Sequence, residues 1–174
     1  MHIREATDLD RDDIQTVYRS AFPESEAEAV SKIAVDLLSE DPQTISLVAE
    51  LDAVVVGHVA FSPVSTDSDV DFRGYILAPL AVKPDYHGRR IGVQLVESGM
   101  QQLSTMNVDC ILVYGDPDYY SRFGFSVDAA ERYIPPYKLE YPFGWQGIAL
   151  NKDSAEKPST NIVCGAPLCD PALW

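Results

Sequence analysis

At 174 residues, with 46% apolar and 23% charged side chains, the chain has the size and composition of one folded domain with its own core. Its 27 acidic and 13 basic residues give a net charge of −14, which speaks against a general binder of nucleic-acid phosphates. No apolar run approaches the roughly 20 residues that span a bilayer, and the first residues lack the apolar stretch of a secretory signal. A cytoplasmic protein with neither a nucleic-acid nor a membrane partner is expected.

Three cysteines, Cys110, Cys164 and Cys169, are too few for a disulfide scaffold. Cys164 and Cys169 stand close enough in sequence to pair, and a cytoplasmic setting favours reduced thiols. Their Cys-x4-Cys spacing has no companion pair or histidine cluster, so no metal site is expected. An acidic surface would draw cationic partners, an amine among them, and would equally serve solubility or a salty cytoplasm.

In chain order, His2 to Glu5 reads as a short strand. Thr7 or Asp8 caps a helix whose Ile14, Val17, Tyr18 and Ala21 share a face, and Pro23 ends it. A second helix from Glu24 to about Ser39 carries the stripe Ala27, Val30, Ile33, Ala34, Leu37 and Leu38. The period then changes: Ile45 to Glu50 and Val54 to Val64 form an antiparallel hairpin, followed by a polar loop at Asp67 to Asp71. Tyr75 to Val82 is an apolar strand broken by Pro79, which cannot donate to a ladder and predicts a bulge or an unpaired, splayed edge. A helix from about Arg90 to Ser104 and a buried strand from Asp109 to Tyr114 follow. Asp116-Pro117 starts a brief helix that ends at Gly124. The Pro- and aromatic-rich tail holds strands near Trp145 to Leu150 and Asn161 to Cys164. The fold class is mixed α/β: a central mixed sheet with helices on both faces, in a single domain over 1–174.

The chemistry-bearing segment is Leu80-Ala81-Val82-Lys83-Pro84-Asp85-Tyr86-His87-Gly88-Arg89-Arg90-Ile91-Gly92. A strand that runs through a glycine-containing loop into a helix gathers unpaired N–H groups at the positive end of a helix dipole, which is an anion site. Lys83, Arg89 and Arg90 put three of the 13 cationic residues within eight positions of an otherwise acidic chain. The spacing matches neither the phosphate loop of nucleotide hydrolases nor the Gly-x-Gly-x-x-Gly dinucleotide fingerprint. A second segment, Gly115-Asp116-Pro117-Asp118-Tyr119-Tyr120-Ser121-Arg122-Phe123-Gly124-Phe125, presents adjacent tyrosines on a one- to two-turn helix. A tyrosine hydroxyl can protonate a leaving thiolate. Packing is the ordinary use of such a pair.

Together these segments resemble the Gcn5-related N-acetyltransferase family and, within it, the YhbS-like bacterial subgroup. The first is similar to the family's pyrophosphate motif, Gln/Arg-x-x-Gly-x-Gly/Ala, and the second to its Tyr-x-x-x-Gly-Phe ending. His87 stands in place of the usual Gln or Arg, and Arg90 in place of the first glycine; Gly92 keeps the last position, and Gly88 is extra. The resemblance implies acetyl-CoA as cosubstrate, transfer of its acetyl group to a primary amine by direct attack, and no metal. It implies that Leu80, Ala81 and Val82 pair with the pantetheine arm and that His87, Gly88, Arg89, Arg90, Ile91, Gly92 and Val93 hold the pyrophosphate. Tyr120 would protonate the departing CoA thiolate.

Among Glu24, Glu26 and Glu28, in the turn where such relatives often bind the acceptor, Glu28 is the candidate base; all three also suit a helix N-terminus by charge alone. His58 and Cys110 are expected in the core. The acceptor, a small molecule or a peptide, carries no readable motif. Pro135, Pro136, Tyr137, Tyr141, Phe143 and Trp145 either wall a substrate or cover a sheet edge. The rival readings are a non-catalytic acyl-CoA-binding sensor with the same fold and an interaction domain without cofactor.

Overall fold

The structure, a computed structural model, describes residues 1–151 and 158–174. Its elements are β1 (His2–Glu5), α1 (Arg11–Ala21), α2 (Glu24–Glu40), β2 (Ile45–Leu51), β3 (Val54–Thr66), β4 (Gly74–Val82), α3 (Ile91–Ser104), β5 (Cys110–Tyr114), α4 (Pro117–Tyr120), α5 (Val127–Ala130), β6 (Tyr133–Ile134), β7 (Trp145–Ala149) and β8 (Thr160–Cys164). Each predicted strand and helix is present. The additions, α5 and β6, have four and two residues, too few for periodicity to register. The chain forms two compact units, Met1–Phe61 with Ala78–Gln102 and Ser62–Leu77 with Leu103–Trp174; β3 and β4 lend residues to each.

In the first unit, β1 runs antiparallel to β2, with Arg4 opposite Val48, and β2 runs antiparallel to β3, with Leu47 opposite Val59. The hairpin turns through Asp52 and Ala53, both left-handed at φ 51° and 61°, the twist that suits a two-residue link between strands. Ile14, Val17 and Tyr18 of α1 and Ala34 and Val35 of α2 bury against Val48, Val55 and Ala81. Full burial of a side chain such as Ile14 or Val17 contributes about 1.5–3 kcal/mol. The opposite face of β3 meets α3: a Cβ on Gly57 would stand 3.1 Å from Leu95 Cδ1, and one on Gly99 would stand 2.1 Å from Phe61 Cε2. This unit therefore carries helices on both faces of its strands. The helix expected from Thr7 divides into a 3-10 turn at Asp8–Asp10 and then α1. The turn exists because Arg4 grips the Asp10 carboxylate with two bonds of 2.7 and 2.9 Å, while the Thr7 N–H and hydroxyl donate to the same group. Those bonds, Arg4's foremost, hold Asp10 well below the usual carboxylate range.

In the second unit, β4 pairs with β5 in parallel, and β7 lies antiparallel to β5. The last residues of β3 take β8 as antiparallel partner, and β8 takes β6 in parallel. Parallel and antiparallel pairs together make the mixed sheet that the sequence predicts. The β4–β5 ladder covers Gly74–Leu77 and stops two residues short of Pro79, where a ladder donor is missing. No helix among the described residues is long and apolar enough to cross a membrane.

Candidate active site

Val82 ends β4, and the chain turns into α3 through a compact loop. Pro84–Tyr86 make one 3-10 turn, and the Lys83 N–H donates to the Val56 carbonyl at 2.8 Å, tying the turn to β3. His87 Nε2 lies 2.8 Å from the Val82 carbonyl oxygen. A carbonyl only accepts, so Nε2 is the protonated nitrogen. His87, standing where the motif has Gln or Arg, thus braces the loop against the strand it leaves.

Gly88 and Arg90 both adopt left-handed backbone, at φ 74° and 59°. Glycine does so freely, whereas a residue with a Cβ loses about 1–2 kcal/mol there. This explains a glycine preference at the Arg90 position and why α3 begins at Ile91, one residue later than expected. The first helical bond is donated by the Gln94 N–H to the Arg90 carbonyl at 3.0 Å. The N–H groups of Ile91, Gly92 and Val93 therefore lie ahead of the ladder, at the positive end of the helix. A Cβ on Gly88 would meet nothing within 4 Å, and Arg89 and Arg90 are exposed beside it in sequence, the Arg89 guanidinium lying 5.2 Å over the Tyr86 ring. Open backbone, forward N–H groups and basic side chains suit a phosphate. Leu80 and Val82 are half-buried and Ala81 is buried, so this end of β4 offers an apolar edge.

In the second unit, Asp116 caps α4 by accepting from the Asp118 N–H at 2.9 Å, and Pro117 fills the first helical position. The helix runs on into a 3-10 turn, Ser121–Phe123, which Gly124 ends at φ 93°. This turn packs Tyr120 edge-on against Tyr119, at 5.0 Å between ring centres, and against Phe125 at 5.8 Å. Burial, reinforced by Tyr119 and Asp116, pushes the Tyr120 hydroxyl above the ordinary tyrosine range. It remains a proton carrier throughout the neutral range.

Of the other candidates, Glu28 sits on α2 with its carboxylate 3.1 Å from Arg19, its side chain 78% exposed. The arrangement is that of a surface ion pair. His58 is buried between the Tyr18 hydroxyl on Nδ1 and the Ser46 hydroxyl on Nε2, both at 2.8 Å. Cys110 is buried as expected, and burial pushes its thiol up to about 12. Cys164 and Cys169 are free thiols. Among the described residues no group of His, Cys, Asp and Glu could hold a metal ion. The aromatic tail divides in two. Trp145 is buried, donating its ring N–H to the Tyr133 carbonyl at 2.7 Å, and Tyr137 lies against Trp174, whereas Tyr141 and Phe143 face solvent. The cofactor-loop candidates and Glu28 fall in the first unit and Tyr120 in the second. Sequence reasoning took in Gly115 with the second segment but missed Gly144 and Gln146, since a lone glycine and a lone glutamine carry no periodic signal.

The model of the acetyltransferase (GNAT) family matches residues 11–125, a span that takes in both motifs and ends on Phe125. The chain belongs to the GNAT family. An N-acetyltransferase of Escherichia coli K12 named YhbS is 39% identical over 130 residues, covering 74% of this chain and 75% of its own. A second from that strain, YjhQ, is 33% identical over 141 residues, covering 79% and 76%. The solved GNAT structure of Escherichia coli YhbS in complex with CoA is similar at a TM-score of 0.84 and 30% identity, over 97% of this chain and 92% of that one. A GNAT acetyltransferase of Brucella melitensis in complex with acetyl-CoA follows at 0.73 and 29%, over 95% and 96%. The GNAT fold accounts for the mixed sheet, in which β4 parts from β5 at Leu77 and runs on to the loop.

Proposed function

We propose that this chain is an acetyl-CoA-dependent N-acetyltransferase that passes the acetyl group directly to a primary amine. The observation that carries the reading is the turn from Val82 to Val93. It combines left-handed backbone at Gly88 and Arg90, N–H groups ahead of the α3 ladder, and a basic cluster in a chain of net charge −14. Relatives in complex with CoA and acetyl-CoA support the same ligand. Gly88 to Val93 would hold the pyrophosphate by backbone N–H groups, with Arg89 and Arg90 adding charge. His87 would keep the loop in shape through Val82. Leu80, Ala81 and Val82 would take the pantetheine arm.

Acetyl-CoA supplies a thioester carbonyl that is open to attack. In this reading the neutral amine nitrogen bonds to that carbon, the carbon–sulfur bond breaks, and the Tyr120 hydroxyl gives its proton to the departing sulfur. The attacking nitrogen loses its extra proton to a base, for which Glu28 is the candidate, and Tyr120 recovers its proton through solvent. Products are an N-acetyl amide and CoA thiol. Burial keeps the Tyr120 hydroxyl protonated, so it enters the reaction as a donor.

Calorimetric titration with acetyl-CoA, with NADH and ATP as controls, together with turnover of Tyr120→Phe tests this. Selective acetyl-CoA binding, and a Tyr120→Phe loss of roughly 10²–10⁴ in turnover at unchanged acetyl-CoA affinity, is the expected outcome. Binding without turnover on any amine would instead mark a non-catalytic acyl-CoA sensor. Turnover unchanged in Tyr120→Phe would remove the acid from the mechanism.

A further inference from the structure

Behind the Tyr120 ring two backbone segments lie in close contact. A Cβ on Gly115 would stand 2.4 Å from Tyr120 Cε2 and 3.1 Å from Cδ2, so the ring rests directly on the Gly115 main chain. The Gly115 N–H donates to the Gly144 carbonyl at 2.9 Å. A Cβ on Gly144 would in turn stand 2.9 Å from Tyr114 Cε2 and 3.1 Å from the Gly115 oxygen. The two segments thus run side by side, continuing the β5–β7 pairing, with no room for a side chain on either.

The Gln146 amide ties the two segments together. Its Nε2 donates to the Gly115 carbonyl at 3.2 Å and to the Gly144 carbonyl at 3.4 Å, and the residue is only 1% exposed. The amide orientation follows from the partners: two carbonyls can be satisfied by NH2 and not by oxygen. β7 has no need of a polar side chain here. The backbone of Gln146 already pairs with Val113, and the flanking Trp145 is buried. A buried amide where an apolar side chain would pack loses solvation, which only its two bonds offset. Those bonds fix the residue on which the Tyr120 ring sits, one position before the Asp116 cap that starts α4.

We infer that Gln146 is a positioning residue for Tyr120: through the Gly115 and Gly144 carbonyls it sets where the tyrosine hydroxyl stands. This rests on the proposed role of Tyr120 as proton donor. The test is a kinetic cycle on the full chain with Gln146→Leu, Tyr120→Phe and the double variant, measuring kcat and the KM for acetyl-CoA. Misplacement of a reacting group costs rate steeply, so Gln146→Leu is expected to lower kcat by about tenfold with KM unchanged, and to lower it no further in the Tyr120→Phe background. An equal loss in both backgrounds, or no loss in either while Tyr120→Phe is impaired, overturns the inference alone. A Tyr120→Phe variant with full turnover overturns the acid role and this inference with it. If Gln146→Leu does not fold, the near-isosteric Gln146→Met takes its place in the cycle.

Discussion

His58 is buried and Tyr120 half-buried, and loss of solvent acts on the two with opposite consequence. For Tyr120 it disfavours the anion, so the hydroxyl keeps its proton at any working pH. For His58 it disfavours the cation and holds the imidazole at about 3, with Asp10 pulling weakly the other way. A lowered histidine pKa means that the unfolded chain binds a proton the native state refuses. Stability from this group is full above the unfolded value near 6.5 and falls as pH drops toward 3, by up to about 1.4 kcal/mol per pH unit. Urea denaturation at pH 7.5, 5.5 and 4.5 should show that loss, and His58→Asn should flatten it over the same range. Asp10 adds its own loss only below about pH 4, since its carboxylate is the one held down by Arg4.

At the scale of the element, the turn into α3 holds a conformational conflict. Arg90 takes a backbone angle that favours glycine, in the loop proposed to hold the pyrophosphate. Arg90→Gly is expected to release about 1 kcal/mol of left-handed strain, offset in part by the greater freedom glycine has when unfolded. The net change should be a small rise in melting temperature, with acetyl-CoA affinity lowered a few-fold by the lost charge. A large affinity loss would show that the guanidinium itself contacts phosphate. The loop's other oddity, His87, is explained by its bond to the Val82 carbonyl, a strand-to-loop brace that the motif comparison could not suggest.

For the molecule as a whole, the charge of −14 leaves the surface unfavourable to an anionic ligand, so binding must come from the local basic turn. A ligand that binds only the native state stabilises the entire fold, by about 2.7 kcal/mol at 100 times its dissociation constant. Thermal unfolding with acetyl-CoA should therefore shift upward with concentration, while NADH and ATP should leave the transition in place. A transition indifferent to acetyl-CoA would leave a GNAT fold without the family's cosubstrate.

Sequence alone determined the order of the longer strands and helices, the glycine-containing turn into α3 and the Asp116-Pro117 start of α4, because periodicity, caps and glycines act over a few residues. The family followed from the same local signals in Leu80 to Gly92 and Gly115 to Phe125. Tertiary structure decided what local rules cannot reach. It gave Glu28 to Arg19, placed His58 between Tyr18 and Ser46, and split the aromatic tail into buried Trp145 and exposed Tyr141 and Phe143. The backbone contact under Tyr120 was the least legible. Gly115, Gly144 and Gln146 lie up to 31 residues apart, and only the pairing of β5 with β7 brings them together. Contacts of that range depend on which strands become neighbours, and no short window of sequence contains that choice.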